Sequence, residues 1–224
     1  MSRFEIEIKS FLGDKTQADL LVLSMKKIDP GCKEVCRSKQ LNHYFKDGDV
    51  NVLISAVENL FKKEEQENLR EVIAKGKDFS VRSRQKDAEV LLVVKASLDG
   101  GTSANTVTRL EFEEPVKITL SELDELILNA GFSYEAKWSR DRVEYLYKDI
   151  NVCLDKNAGY GYLAEFEIIS AAEEQNTVIK EKLKNIMSEL KVEELPQDRL
   201  ARMFAFYNEN WSDYYGTEKT FLID

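Results

Sequence analysis

Polar and apolar residues alternate from Arg3 to Lys9, so Phe4, Ile6 and Ile8 share one face of a predicted strand and Glu5, Glu7 and Lys9 the other. The period of two returns at about 39–46, from Asp78 through Arg84, and over 89–97, 105–116, 134–149, 151–156 and 161–170. Eight strands result. Between them the apolar spacing becomes helical: Leu20, Leu21, Leu23 and Met25 within 15–27, then Leu53, Val57, Leu60, Phe61, Leu69, Val72 and Ile73 within 49–75. The latter stretch reads as one long helix or two, around a solvated charge run at 62–67. A helix over 119–130 is capped by Thr119 or Ser121 and ended by Gly131. An amphipathic helix over 171–190 and a shorter one at about 197–207, after Pro196, complete the pattern.

No Pro/Gly/Ser-rich linker or internal repeat divides the 224 residues, which predicts a single domain over 1–224 with a helical insertion at about 48–77 and a helical C-terminal segment at about 171–224. The insertion's apolar positions need burial, so it is expected to buttress the fold rather than to act as a lid. No apolar run approaches the roughly 20 residues of a membrane span, and the chain opens directly on a charged strand. A cytoplasmic protein without a membrane partner is expected. A formal charge of −9 argues against general nucleic-acid binding but leaves room for a local basic pocket. Three cysteines (Cys32, Cys36, Cys153) suit a reducing compartment, and Cys32 and Cys36, in a turn-like link at 30–36, lack a second pair to complete a zinc site. The one histidine, His43, falls in a strand pattern; a catalytic histidine needs an orienting partner, so no chemistry is expected of it. Trp211, Tyr214 and Tyr215 are expected to form a packed tail.

Charge changes the picture of the strands. Six of the eight carry two or more charged groups on one face, of both signs: Glu5, Glu7, Glu111, Glu113, Asp155, Glu165 and Glu167 against Lys9, Arg82, Arg84, Lys95, Arg109, Arg140 and Arg142. Their other face is apolar and is matched by amphipathic helices able to cover it. Helices outside put the charged rows inside. The expected fold is therefore α+β: a closed or nearly closed eight-stranded antiparallel β-barrel, a tunnel, with helices packed on the outside. Such an interior is costly to desolvate unless its charges are paired, hydrated or occupied by ions. Arg and Lys match phosphate oxygens, and clustered carboxylates are hard oxygen ligands suited to Mg2+ or Mn2+. A divalent metal chelated by polyphosphate satisfies both sets.

These residues also resemble a known family. Glu5-Ile6-Glu7-Ile8-Lys9 is similar to the ExExK signature of the CYTH, or triphosphate tunnel metalloenzyme, superfamily, which includes inorganic triphosphatases, thiamine triphosphatases and class IV adenylyl cyclases. The similarity continues in order through Tyr44-Phe45 with Asp47, Arg82-Ser83-Arg84, Lys95, Arg109-Leu110-Glu111-Phe112-Glu113, Arg140-Asp141-Arg142, Asp155 and Glu165-Phe166-Glu167. The resemblance implies a triphosphate held by Lys9, Arg82, Arg84, Lys95 and Arg142, assisted by Arg109 and Arg140. It implies one or two divalent ions on Glu5, Glu7, Glu165 and Glu167, with Glu111, Glu113 and Asp155 as further ligands. Hydrolysis would use water associated with the metal or with Glu7, and Tyr44 and Lys95 match a Tyr-Lys pair that activates water in some relatives.

The sequence departs from the family in its 48–77 insertion and in having arginine at 140, where relatives often have lysine. Lys137 is out of phase with Arg140 and Arg142 and is left outside the site. The leading expectation is a metal-dependent triphosphatase acting on inorganic triphosphate or an organic one such as thiamine triphosphate. An adenylyl cyclase would keep the same cradle but direct a ribose hydroxyl at the α-phosphorus of ATP. A non-catalytic polyphosphate- or nucleotide-binding module would gain nothing from so many carboxylates.

Overall fold

The period-two segments form eight antiparallel strands: β1 (Phe4–Gly13), β2 (Lys33–Lys46), β3 (Lys77–Lys86), β4 (Glu89–Ser97), β5 (Arg109–Val116), β6 (Ser133–Tyr147), β7 (Ile150–Asn157) and β8 (Gly161–Ser170). This computed structural model describes residues 4–97, 109–170 and 176–223. The helices are α1 (Lys15–Ile28), α2 (Val50–Val57), α3 (Lys63–Lys75), α4 (Leu120–Asn129), α5 (Asn176–Leu190) and α6 (Gln197–Tyr214). The expected strand residues 105–108 and helix residues 171–175 lie outside the described residues.

Three boundaries differ from the pattern. β2 begins at Lys33 rather than near Lys39, because Glu34 and Cys36 pair with Tyr145 and Glu144 of β6 across a bulge that breaks the alternation. The 49–75 stretch is two helices, parted by a 3-10 turn at Glu58–Leu60. α6 runs on to Tyr214, its later turns held by Tyr207 and aromatic neighbours rather than by a simple apolar stripe.

The strands follow one another in the order β1-β5-β4-β3-β2-β6-β7-β8, each paired antiparallel with two neighbours. β1 runs along β8 from Phe4↔Ser170 to Gly13↔Tyr162, and among the described residues it meets β5 at Phe4↔Leu110 and Glu5↔Arg109. The sheet therefore curls round until its first strand touches its fifth.

Its outer face is apolar and roofed by helices. Val81, Leu92, Val94, Leu110 and Phe112 pack with Leu53 and Val57 of α2, Leu69 and Val72 of α3, and Leu123 and Ile127 of α4. At roughly 1.5–3 kcal/mol for each large apolar side chain fully buried, α2 and α3 buttress the wall, as their spacing predicts. On the other side Ile6, Ile8, Val152, Leu154, Ala164 and Phe166 pack against Leu21 and Met25 of α1 and Leu183 and Ile186 of α5. Caps fix the ends: the Asp14 carboxylate accepts from Gln17 N at 3.0 Å, and Thr119 and Glu122 form a reciprocal capping box on α4.

The β7–β8 turn needs a glycine. Gly161 has φ +79°, and a Cβ there would lie 2.2 Å from the Gly13 carbonyl oxygen, so the turn is pressed directly onto the end of β1. All three cysteines are free. Among the described residues, no helix is long and apolar enough to cross a membrane.

Candidate active site

Alternation along the curled strands turns the charged rows inward, where they line one cavity of about 660 Å3. Lys9 enters from β1, Arg82 and Arg84 from β3, Lys95 from β4, and Arg140 and Arg142 from β6. The carboxylates of Glu7, Glu111, Glu113, Asp155, Glu165 and Glu167 line the same space. The side chains of Glu5 and Arg109 lie outside the described residues; their backbones are register partners on β1 and β5. Lys137, as its phase predicts, stays out of the cavity, with its ammonium 4.1 Å from the Tyr134 ring.

The two signs interleave rather than segregate. Lys9 Nζ is 2.5 Å from Glu7 Oε1 and 3.2 Å from Glu165 Oε1. Arg142 grips Asp155 through Nε and Nη2, at 2.7 and 2.6 Å, and its Nη2 also donates to Glu165. Arg140 bonds Asp155 Oδ2 at 2.7 Å and Gln40 Oε1 at 2.8 Å. Arg84 donates to both Glu113 oxygens at 2.8 Å and to Asn42 Oδ1 at 2.7 Å, and Lys95 lies 3.1 Å from Glu111.

Burial works against the charges of Glu165, Lys9 and Arg142, and their opposite charges overcome it. It would raise the Glu165 carboxyl, yet Lys9 and Arg142 hold it well below the usual range. It would likewise lower the Lys9 ammonium and the Arg142 guanidinium, but Glu165 and Glu7 shift Lys9 upward and Asp155 and Glu165 shift Arg142 upward. Tyr44 is the unusual group. Burial pushes its phenol up, but Arg82, Arg140, Arg84 and Lys95 outweigh that and lower it, and the Arg82 guanidinium stacks 4.4 Å from its ring centre.

Eight Lys or Arg and ten Asp or Glu line the cavity, a formal charge of −2. Glu7 of β1 pairs in register with Glu167 of β8 and Lys9 with Glu165, and the carboxylates of Glu7 and Glu165 both meet the Lys9 ammonium. Their chemistry fits a divalent cation. Among the described residues, however, no group of three His, Cys, Asp or Glu converges to hold a metal, because Lys9 stands between Glu7 and Glu165.

Sequence reasoning missed part of the lining. Gln40 lines the cavity from the polar face of β2 that it shares with Tyr44, beside Arg140, while Asn42 on the same face lies outside the lining and accepts from Arg84. Trp138, two positions before Arg140 on β6, and Phe204 and Asn208, one turn apart on α6, also line the cavity, as does Tyr160 of the β7–β8 turn. Only the helical spacing of 204 and 208 hinted at the last pair.

His43 has the orienting partner that the sequence left unseen. Its Nδ1 lies 2.7 Å from Asp124 Oδ2 and its Nε2 2.8 Å from the Tyr215 hydroxyl, outside the cavity lining. Tyr134 and Ser83 also donate to Asp124, at 2.6 Å for Tyr134. Tyr215 thus ties the end of α6 to β2 and α4, consistent with a packed aromatic tail.

Burial would raise the Asp124 carboxyl, but hydrogen bonds from His43, Ser83 and Tyr134 lower it. A depressed carboxyl stabilises the fold fully above its unfolded value, near pH 4, and loses that contribution as pH falls through its folded value. Asp124→Asn should therefore lower stability at neutral pH, and its deficit relative to the parent should shrink below about pH 4. Urea unfolding across that range measures it; a constant deficit would show that the charge contributes nothing.

A family model described as the CYTH domain matches residues 3–199. No curated protein matches the chain. Among solved structures, the chain is similar to a conserved hypothetical protein of Pyrococcus furiosus, at 17% identity and TM-score 0.60, over 84% of this chain and 91% of that one. A candidate adenylate cyclase of Vibrio parahaemolyticus is 14% identical with TM-score 0.59, over 92% and 99%. HpAC1 of Hippeastrum, a candidate adenylyl cyclase with a dominant triphosphatase activity, is 16% identical with TM-score 0.50, over 92% and 96%. These identities speak to the fold alone. With the family model covering most of its length, and its strands curled round opposed rows of charge, the chain belongs to the CYTH family.

Proposed function

We propose that the cavity is a triphosphate tunnel, within one CYTH-like domain, in which a triphosphate bound with Mg2+ or Mn2+ is hydrolysed. The observation that carries this is the interleaving of Lys and Arg with carboxylates around one cavity, whose eight cationic and ten acidic lining residues give a formal charge of −2. A bare polyanion would be repelled by the surplus of carboxylates, whereas a metal chelate presents positive charge to the acids and oxygens to the bases. The dominant triphosphatase activity of Hippeastrum HpAC1 points the same way.

Lys9, Arg82, Arg84, Lys95, Arg140 and Arg142 would bind the phosphate oxygens, with Arg109 completing the set. Forked arginine hydrogen bonds would fix the phosphoryl group in line and stabilise charge on the leaving oxygen. Glu5, Glu7, Glu165 and Glu167 would hold a divalent ion directly or through water, with Glu111, Glu113 and Asp155 in reserve. That ion supplies Lewis acidity at a phosphoryl oxygen and a more acidic water. Glu7 and the Tyr44–Lys95 pair are the candidates to orient or deprotonate the attacking water, and the lowered Tyr44 phenol suits that role.

The test incubates the protein with inorganic triphosphate, thiamine triphosphate or ATP plus Mg2+ or Mn2+ and resolves phosphate, pyrophosphate and cyclic AMP. Phosphate release that stops on chelation supports the hydrolase. Cyclic AMP with pyrophosphate would make the protein a cyclase, and tight binding without turnover a binding module. Glu7→Gln should lower the metal-dependent rate at least about tenfold while leaving the melting temperature near the parent's. A parental rate would remove Glu7 from the site.

A further inference from the structure

Three consecutive rungs join β2 to β3: Asn42↔Arg84, His43↔Ser83 and Tyr44↔Arg82. Side chains alternate across a sheet, so the first and third rungs lie on its cavity side and the middle one on its outer side. The inner rungs are cross-linked: Arg84 Nε donates to Asn42 Oδ1 at 2.7 Å, and the Arg82 guanidinium lies 4.4 Å from the Tyr44 ring centre. Tyr44, Arg82 and Arg84 all reach the cavity lining.

One carboxylate closes the middle rung from outside. Asp124 of α4 accepts from the Ser83 hydroxyl on Oδ1, and its Oδ2 meets His43 Nδ1 at 2.7 Å and the Tyr134 hydroxyl of β6 at 2.6 Å. Ser83, His43 and Asp124 are all buried. The other buried residues of α4 are Leu123 and Ile127, so a leucine at 124 would suit this apolar face without dehydrating a charge. What a leucine could not do is join two strands at a single rung. A slip of one residue between β2 and β3 would turn Tyr44, Arg82 and Arg84 to the outer face together. The register of β2 against β6 does shift close by, between Tyr44 and Phe45, so this is where β2 needs a fixed point.

We propose that Asp124 is a positioning residue for the anion cradle, pinning the His43–Ser83 rung from outside the sheet and so holding Arg82, Arg84 and Tyr44 at one depth and angle in the cavity. It touches no ligand itself. That the cradle holds a triphosphate rests on the reading above; the clamp rests on the geometry of the rungs.

The experiment compares Ser83→Ala, Asp124→Asn and Tyr134→Phe with the parent. Ser83→Ala and Tyr134→Phe each take one hydroxyl from the same carboxylate, but only Ser83 lies between Arg82 and Arg84. Two quantities are read at a temperature where every variant is folded. One is kcat/KM with Mg2+ or Mn2+ for the triphosphate that the parent cleaves fastest. The other, in the protein without ligand or metal, is the exchange of the Arg84 Nε–H proton with water by NMR, the signal being identified by its loss in Arg84→Lys. Ser83→Ala and Asp124→Asn should each lower kcat/KM about tenfold to a hundredfold, as a small misplacement of binding groups does, and should quicken the exchange severalfold. Tyr134→Phe should leave both near the parent's values while lowering the melting temperature as Ser83→Ala does. Parental values in Ser83→Ala and Asp124→Asn, or equal losses in Ser83→Ala and Tyr134→Phe, would reduce Asp124 to a stabilising contact and overturn the proposal. If the parent neither binds nor cleaves any triphosphate, the triphosphatase reading fails, and the exchange rates alone decide for or against the clamp.

Discussion

Arg142→Ala should destabilise the protein by about 3–5 kcal/mol at neutral pH, the range found when one partner of a buried ion pair is removed. Asp155 is 1% exposed, and both of its oxygens accept from Arg142; Glu165, 8% exposed, accepts from the same guanidinium. Truncation would leave Asp155 with Arg140 and Glu165 with Lys9, with their remaining charge still buried. The loss is therefore chiefly the cost of stranded carboxylates rather than the worth of the bonds. Arg142→Met with Asp155→Leu should recover part of it, because both charges then leave together. Urea unfolding of parent, single and double variants measures this. A single variant within about 0.5 kcal/mol of the parent would mean that water reaches these carboxylates freely.

Arg84→Ala should reduce kcat/KM for the preferred triphosphate by about 10^2–10^3, the range for deleting one well-placed donor to developing charge. Arg84 is 7% exposed and oriented by Asn42 and by both Glu113 oxygens, so its guanidinium is held before any ligand arrives. If its main task is to hold the anion, the loss falls in KM; if it acts on the transferring group, in kcat. Arg84→Lys should restore only part, since an ammonium cannot reproduce the fork. Steady-state kinetics on both variants decides it, and parental kinetics in Arg84→Ala would remove the residue from the cradle.

The fold was legible wherever one physical rule governed a whole segment. Strict alternation in β1, β5 and β8 placed Glu7, Glu113, Glu165 and Glu167 on the inner face because Ile6, Ile8, Phe112 and Phe166 had to be outside. The rule failed at bulges. At Glu34–Cys36 the extra residue hid the start of β2. The charged residues on the strands' inner faces, from Glu7 and Lys9 to Glu165 and Glu167, were legible for the same reason as the strands, whereas Lys46, Asp78, Lys86, Glu135 and Glu144 were not expected in the lining. Its aromatic end was not, because Trp138, Tyr160 and Phe204 come from a strand, a turn and a helix that only the tertiary fold brings together. The His43–Asp124 contact spans 81 positions, and no periodicity could reveal it.

The interleaved lining also has a consequence for turnover. Lys9, Arg84, Arg140 and Arg142 each have a carboxylate of the protein itself against them, so the proposed triphosphate would have to displace those carboxylates to bind, and they would return as it left. Uptake would then be an exchange of counter-ions rather than the filling of a sink. A pocket built this way gives up grip on every anion alike, and in return its products are not trapped by bare positive charge.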